Sequence, residues 1–440
     1  MIEFFLIKML PVSSGGRSFF MKRILKFGLT GAILLSLTAC GSGSGEQETN
    51  GKQVVSVWST TEDIEKFEKG FEKENPDIDI KIQVLSNDDY MTKLVNTLKS
   101  GQNAPDVFTA ESDYVKKLIE TDYMDDLSKA PYDFSKEDSG LWDYVVDVGT
   151  DSKGTVKALS WQASPGGIIY RTDIAEKVLG ISSTDEMSDL LQNNEQILEV
   201  AGKLQSQGIS MFASWEDLLN VEFSNRSSGW VKDNQLVIDD NLLSFMDLAK
   251  ELDANKYAMN TTPWDGEWIA GVNNDNCFSY VLPTWGYQYV IKANAEASSG
   301  KWGLAKILTP YIKGGTWLGV YSDSDKKEAA WQFMEYVALN EDAQKDFAKG
   351  TGDYMSLKNV DTELAAEPGD DILGGQNSYE FYNQLMEEDI PDYITEYDGT
   401  INDLFLTATK AYVEGKLDKD EAIDQFKTDV KNSFSNIKVD

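Results

Sequence analysis

The amino-acid sequence predicts an α/β protein whose parallel sheet is flanked by helices. The first observation is an alternation of strand and helix patterns near the start of the folded part, in the order 54–58, 64–71, 78–84, 90–98 and 105–108. The second is a length of 440 residues with 41% hydrophobic residues, which exceeds one usual domain. Strand–helix–strand repeats form parallel sheets with right-handed crossovers, so the pattern predicts a parallel sheet and the length predicts two domains.

Each element of this alternation has a local cause. Val54–Trp58 is a short apolar run, and the hydroxyls of Ser59–Thr61 are suited to capping the helix that follows. In that helix Ile64, Phe67 and Phe71 fall on one face. The next strand alternates isoleucine with polar residues over 78–84, and the second helix can end at Gly101. Ligands of such sheets bind beyond the carboxyl ends of the strands.

The rest of the chain continues the α/β pattern. A strand is predicted over 155–162 and another over Ile168–Tyr170. Between them, Pro165–Gly167 is interpreted as a crossing between lobes, with a plain turn as the alternative. Cys277–Leu282 is a further strand, and Tyr354–Leu357 is interpreted as a second crossing. The tail is mostly helical.

Composition excludes several functions. The chain has no histidine, which removes His-based triads and His-ligated zinc, and its net charge of −34 disfavours nucleic acid and anionic lipid head groups as partners. The segment 418–421 lacks the features of an EF-hand loop. We therefore expect no cofactor, no metal site and no catalytic residues. Cys277 is left without a disulfide partner if Cys40 is lipidated.

The N-terminal segment predicts export and lipidation. Leu37–Cys40 resembles a bacterial lipobox, preceded by basic residues and a short apolar run. That run is shorter than the roughly 20 residues of a spanning helix. We interpret 1–39 as a signal peptide whose true start is Met21, Cys40 as the lipidated residue, and 40–51 as a flexible tether. The alternative is an ordinary secretory signal with an accidental cysteine.

Several motifs, taken in order, carry a resemblance to one family. They include Phe71–Ile78, Asp89–Leu94, Ala104–Val107, Gly167–Asp173, Gly314–Trp317 and Ser324–Ala330. With the lipobox, they resemble extracellular solute-binding proteins of family 1, the maltose-binding-like class that feeds ABC sugar importers. Where the family usually has Tyr-Asn-Lys-Asp, this chain has Tyr170-Arg171-Thr172-Asp173.

The resemblance implies a two-lobed, periplasmic-binding-protein-like fold of type II with a hinge of several crossings. Carried over, lobe 1 would be 52–163 plus 317–350, and lobe 2 would be 168–312 plus 355–440. The implied function is that of a monomeric, lipid-anchored substrate-binding protein on the outer side of the cell membrane. It would capture a mono- or oligosaccharide between the lobes and deliver it to the transmembrane subunits of an ABC permease.

Binding a sugar requires flat aromatic rings for its C–H faces and polar groups for its hydroxyls. This chain offers both near predicted strand ends. The predicted stacking residues are Trp161, Trp285 and Trp317, the predicted hydroxyl partners are Glu111, Asp113 and Gln162, and second candidates are Trp58, Ser59, Trp264 and Asp265. Core packing is the alternative for each tryptophan. Rival functions are binding of a non-sugar solute, a surface adhesin or receptor, and a lipid-anchored glycosidase using paired carboxylates.

Overall fold

A computed structural model describes residues 51–388, 390 and 393–439 of the chain. The predictions for the signal peptide and for Cys40 concern residues outside this part. The side chains of Asn87, Asp88 and Asp113 also lie outside the description. Among the described residues, no helix combines the length and the apolar character that a membrane span requires.

Strands are distributed along the whole described chain. They are β1 (Gln53–Ser59), β2 (Ile78–Val84), β3 (Val107–Glu111), β4 (Leu159–Ser160), β5 (Pro165–Arg171), β6 (Ser210–Phe212), β7 (Val231–Lys232), β8 (Gln235–Leu236), β9 (Cys277–Pro283), β10 (Trp302–Ala305), β11 (Tyr311–Ile312) and β12 (Thr316–Val320).

Helices cover the sheets and form the C-terminal part. They are α1 (Glu65–Glu74), α2 (Asn87–Ser100), α3 (Ser112–Ile119), α4 (Asp143–Val148), α5 (Thr172–Ile174), α6 (Thr184–Asp189), α7 (Asn194–Gln205), α8 (Leu219–Ser224), α9 (Asp240–Ala254), α10 (Gly266–Ala270), α11 (Thr284–Gly286), α12 (Lys327–Leu339), α13 (Glu341–Thr351), α14 (Lys358–Ala365), α15 (Ser378–Met386), α16 (Asp398–Val413) and α17 (Lys419–Ser433). Two segments, Ala175–Leu179 and Tyr287–Lys292, are π-helical.

The first sheet has the strand order β2-β1-β3-β12-β4. Strand β1 lies parallel to both β2 and β3, with Val57 opposite Ile82 on one side and Val107 on the other. Strand β12 runs antiparallel to β3 and β4. The parallel β-α-β-α-β unit predicted from the sequence is therefore confirmed. The predicted strand over 155–162 is much shorter than expected, because Lys157 bonds to the loop at Gly149 and only β4 joins the sheet.

The second sheet has the order β10-β5-β9-β6, and β11 pairs with β5. Two sheets, each covered by helices, confirm the predicted α/β two-lobed fold class. One core contains Val55, Phe71 and Phe333 around the first sheet, and another contains Phe212 and Phe405 around the second. A third cluster joins residues of both sheets, so the lobes meet across packed side chains.

The chain crosses from the first sheet to the second between β4 and β5, and returns between β11 and β12. A further segment accompanies the first crossing: the Ala163 N–H donates to the Tyr354 carbonyl at 3.2 Å, and the Ser356 N–H donates to the Trp161 carbonyl at 3.0 Å. These paired segments connect the two sheets.

The interpretation of Pro165–Gly167 as a crossing is wrong, because all three residues belong to strand β5. Gly166 pairs with both Pro283 and Tyr311, and a Cβ on Gly166 would lie 2.1 Å from the Tyr311 ring. The glycine is thus explained by close approach of an aromatic ring within the sheet. It does not make a turn.

Candidate ligand-binding cleft

Three strand ends of the first sheet meet at one edge. The parallel strands β1 and β3 end at Ser59 and Glu111, and Thr316, the first residue of β12, lies opposite Glu111. Helix α3 begins directly after Glu111, and the Ser112 N–H donates to the Gly315 carbonyl at 3.3 Å. This edge therefore faces the crossing segment that leads to the second lobe.

The loop after β1 gives this edge its polar character. The Thr61 N–H donates to the buried Ser59 hydroxyl at 3.1 Å, which fixes the loop, and Thr60 Oγ1 lies 3.4 Å from Glu111 Oε1. Asp63 forms an ion pair with Lys66 one turn further along the chain. The Ser59 hydroxyl thus bonds to the loop backbone, whereas Glu111 is only partly buried at the strand end.

Two predicted residues of the second lobe form an aromatic pair. The rings of Trp264 and Trp285 are stacked, with centroids 5.2 Å apart and planes 17° apart. Trp264 is 48% exposed, which is unusual for tryptophan, and its backbone φ of +73° lies in the left-handed region. A bulky residue held in this conformation at a surface is a sign of function, since strain concentrates at binding sites. Exposed Asp265 follows directly and occupies the position before helix α10.

Buried side chains pack and hydrogen-bond next to the Trp264–Trp285 pair. The ring of Trp268 lies 5.2 Å from that of Trp264, and its Nε1 donates to Asp217 Oδ1 at 3.1 Å. The Ser214 N–H donates to Asp217 Oδ2 at 3.2 Å, while the Tyr280 hydroxyl donates to the Trp268 carbonyl at 2.7 Å. Burial raises the pKa of Asp217 well above its usual range. The Trp264 ring therefore packs against Trp268, whose position is fixed by hydrogen bonds to Asp217 and Tyr280.

The aromatic pair is also tied to the crossing between β11 and β12. Trp285 Nε1 donates to the Lys313 carbonyl at 2.9 Å. A Cβ on Gly314 would lie 2.7 Å from Trp285 Nε1, and one on Gly315 would lie 2.9 Å from the Trp317 ring. Both glycines have positive φ angles, +88° and +94°. The crossing at Gly314 and Gly315 thus passes between Trp285 of the second lobe and Trp317 of the first.

The π-helix Tyr287–Lys292 contributes two residues to the region between the lobes that the sequence analysis did not predict there. Tyr289 is 59% exposed, and burial, followed by the negative charges of Asp63 and Asp353, raises its pKa. Tyr289 therefore lies close enough to Asp63 and Asp353 for their charges to act on its hydroxyl. Gln288 Nε2 donates to the Gly352 carbonyl at 2.9 Å, a direct bond from the second lobe to the end of α13. No sequence pattern marked these residues, because π-helical turns have no periodic signature.

Other predicted stacking residues are buried in this conformation. Trp161 and Trp317 are 0% and 1% exposed. Trp161 packs edge-on against Phe67, and Trp317 packs against Tyr144 while its Nε1 donates to the Val145 carbonyl at 2.9 Å. Neither ring presents a face to solvent in this conformation, and their predicted stacking role stays a prediction.

The remaining predicted residues have structural contacts of their own. Trp58 is nearly buried, and the Lys93 ammonium lies 5.0 Å from its ring centroid. Gln162 is buried and donates its side-chain amide to Asp353 at the first crossing. Burial raises the pKa of Asp353 to about 6. Asp113 lies in α3, two residues beyond the strand end at Glu111, and its side chain is not described.

A small cavity of about 60 Å³ lies between the lobes, beside the crossing segment. Ser112 and Tyr144 line it from the first lobe, and Asn220, Ser224 and Arg226 from the second. Sequence reasoning missed this cavity, because its two walls lie far apart along the chain. Among the described residues, no group of three or more acidic or cysteine side chains is arranged to hold a metal ion.

These features place an aromatic pair in the second lobe and a polar strand edge in the first, and both adjoin the crossing segment 313–316. The chain belongs to the family described as bacterial extracellular solute-binding proteins, whose pattern it matches over residues 66–371. This confirms the resemblance inferred from the sequence motifs.

Individual relatives agree with this assignment. Over 185 residues, the chain is 30% identical to the "Putative ABC transporter periplasmic-binding protein YcjN" of Escherichia coli (strain K12), and the match covers 39% of this chain. The chain thus spans only 40% of that relative's length.

Solved structures share the fold over most of the chain. An extracellular solute-binding protein of family 1 superposes with a TM-score of 0.77 at 17% identity, covering 87% of this chain and 99% of its own. The galacto-N-biose/lacto-N-biose I-binding protein of an ABC transporter from Bifidobacterium longum, in complex with lacto-N-biose, superposes with a TM-score of 0.70 at 16% identity, covering 89% and 100%.

Proposed function

We propose that this protein is the substrate-binding component of an ABC importer and captures a carbohydrate between its two lobes. The observation that carries the proposal is the stacked pair of Trp264 and Trp285 in the second lobe, whose outer ring is exposed and whose inner ring bonds to the crossing that leads to the polar strand ends of the first lobe. A sugar ring has an apolar C–H face that fits an indole and a rim of hydroxyls that fits carboxylates such as Glu111.

The relatives support this choice of ligand and partner. The similar protein from Bifidobacterium longum is described as a binding protein of an ABC transporter in complex with lacto-N-biose. The similar protein from Escherichia coli is described as a putative ABC transporter periplasmic-binding protein. By extension, the partner of this chain is a membrane permease, and lipid on Cys40 would hold the protein at the outer side of the membrane.

The proposed mechanism is capture without chemistry. Ligand stacked on Trp264 would also contact Glu111 across the cleft and so favour a closed arrangement of the lobes. Trp285 bonds to the crossing at Lys313, and Gln288 bonds across the lobes to Gly352, so both are placed to respond to closure. The family is described as binding solutes, which agrees with a function that involves no turnover.

The test is calorimetric titration of the protein with mono- and oligosaccharides, combined with tryptophan fluorescence and analysis of sugar products. We expect saturable binding of at least one sugar, a change in fluorescence and no products. W264A should lose affinity, while Y412A, which removes a partly buried tyrosine on α16 outside the cleft, should not. Absence of binding across the panel would overturn the carbohydrate proposal, and product formation would indicate a glycosidase.

A further inference from the structure

We infer that the cleft contains a subsite for the carboxylate of an acidic sugar, formed by Arg226 of the second lobe and the N-terminus of helix α3 in the first. The inference rests on the proposed function, because it concerns the same cleft. It narrows the ligand to a class, namely sugars with a uronic acid residue. The subsite is the cavity of about 60 Å³ that Ser112, Ser224 and Arg226 line.

Arg226 is buried, with 5% of its surface exposed, and two of its three nitrogen groups are occupied. Nε donates to the Phe223 carbonyl at 2.7 Å, and Nη2 donates to Asp398 Oδ2 at 2.8 Å. Nη1 has no hydrogen-bond partner in the described part of the chain. Leaving buried N–H groups of a guanidinium unbonded costs stability unless a ligand or water accepts from them.

The carboxylate of Asp398 is already engaged through both oxygens. Its Oδ1 accepts from the Thr395 N–H at 2.9 Å and from the Thr395 hydroxyl at 2.7 Å, while Oδ2 accepts from Arg226. Asp398 therefore balances the charge of Arg226 but leaves Nη1 without an acceptor. An acceptor that enters the cavity would find this donor group held in place, with the guanidinium also lying 5.4 Å from the Trp230 ring centroid.

The opposite wall of the cavity is the start of an eight-residue helix. Helix α3 begins at Ser112, and Ser112 lines the cavity. The first N–H groups of a helix and its dipole favour a negative charge at this end. Two independent features, one from each lobe, thus point to an anionic acceptor.

A carboxylate attached to a sugar fits these features better than a free anion. Trp285, part of the aromatic pair, bonds to the carbonyl of Lys313, and Lys313 itself lines the cavity. Lys313 therefore neighbours both the cavity and the inner ring of the aromatic pair. In a chain of net charge −34, an acidic ligand needs fixed N–H donors such as Nη1 of Arg226 to offset repulsion.

The experiment compares affinities of the full protein for digalacturonate against galactobiose, and for glucuronate against glucose. We expect the acidic member of at least one pair to bind at least tenfold more tightly, with a preference that weakens as salt is raised. The double variant R226M/D398L removes both partners of the buried pair and so leaves no unpaired charge. It should reduce the acidic-to-neutral preference at least tenfold, whereas K419M, on the distant helix α17, should keep it.

Thermal unfolding checks that each variant is folded, and R226K provides a second variant that keeps the charge but loses the planar fork of donors. R226K should lower the preference without abolishing it. Equal or tighter binding of the neutral sugars would overturn the acidic subsite and leave the proposed function intact. Failure to bind any member of either pair, with binding of another neutral sugar, would likewise overturn the subsite; no sugar binding at all would overturn both.

Discussion

The indole of Trp264 stacks on that of Trp285, although 21 positions separate them and one stands on a loop before α10 while the other stands in α11. The outer ring is nearly half exposed and the inner ring bonds through Nε1 to the crossing between lobes. A ligand that stacks on the outer ring would thus be connected through two side chains to the crossing segment between the lobes.

The first prediction concerns this exposed ring. W264A and W264G should each weaken sugar binding at least about tenfold, or about 1.4 kcal/mol, because the stacking face is lost. The two variants should differ in stability. At a φ of +73°, glycine is unstrained and alanine is not, so W264G should have a free energy of unfolding about 1 kcal/mol above that of W264A.

Calorimetric titration and denaturant unfolding measure the two effects separately. W264F keeps a flat ring and should retain most of the affinity, which controls for loss of bulk. Equal stabilities of the alanine and glycine variants would show that the backbone at position 264 is not strained.

The second prediction concerns the base of the aromatic pair. D217A removes the acceptor of the Trp268 indole and should destabilise the protein by about 1–3 kcal/mol, since a buried N–H is left unbonded. D217N keeps a carbonyl oxygen for that bond and should be much closer to the parent protein. Denaturant unfolding distinguishes the two variants, and equal losses would show that the bond to Trp268 is not what Asp217 contributes.

The third prediction concerns the direct bond between lobes. Q288A removes the donor to the Gly352 carbonyl, and a hydrogen bond of this kind contributes about 0.5–1.5 kcal/mol. We expect this bond to be kept in the ligand-bound arrangement, so its loss should make ligand dissociation roughly two- to tenfold faster with little change in association. Stopped-flow fluorescence measures both rates. Q332A, at an exposed position of α12, is the matched control, and equal dissociation rates in the two variants would contradict this role of Gln288.

The sequence predicted the first lobe well because its signals are local. Apolar alternation in 78–84 and the helical spacing of Ile64, Phe67 and Phe71 depend only on neighbouring residues, and the parallel order follows from them. Strand ends then located Glu111 at the edge that faces the second lobe. Helices and strands that have a local sequence pattern could therefore be predicted, together with their approximate positions in the first sheet.

Whether each tryptophan is buried or exposed could not be predicted from local sequence patterns. Trp161 and Trp285 follow strands and Trp317 lies near the start of one, yet Trp161 and Trp317 are covered by Phe67 and Tyr144. Those partners lie 94 and 173 positions away, so burial is decided by tertiary packing. The stacking of Trp264 on Trp285 and the position of Arg226 depend on the same kind of tertiary contact.

The fourth prediction concerns pH and a buried carboxyl group outside the aromatic pair. Burial raises the pKa of Glu222 to about 7, from an ordinary 4.5. Between these two values the folded state holds a proton that the unfolded state has lost, so this group makes the free energy of unfolding fall as pH rises. E222Q removes the titration and should flatten stability between about pH 4.5 and 7, by a few kcal/mol at most.

The measurement is denaturant unfolding at half-unit steps across that range. E335Q, at an exposed position of α12, is the control and should leave the slope of the parent protein unchanged. A parental slope in E222Q would show that Glu222 titrates alike in the folded and unfolded states.

The fifth prediction concerns the two glycines of the crossing between β11 and β12. G314A places a methyl group 2.7 Å from Trp285 Nε1, and G315A places one 2.9 Å from the Trp317 ring, each at a φ that alanine tolerates poorly. Gly154 has a similar φ of +82°, but a methyl group there would have no heavy atom of the described chain within 4 Å. G154A therefore measures the backbone cost alone, which should be about 1 kcal/mol.

If G314A or G315A loses more stability than G154A, the additional loss measures the steric contact of the new methyl group with Trp285 in G314A and with Trp317 in G315A. Overpacking of this kind typically adds about 1–3 kcal/mol. Because Trp285 belongs to the aromatic pair, G314A should also weaken sugar binding, whereas G315A, which displaces the buried Trp317, should act mainly on stability. Unfolding and calorimetric titration of the three variants test this division, and equal effects of G314A and G154A would show that Trp285 does not depend on the crossing for its position.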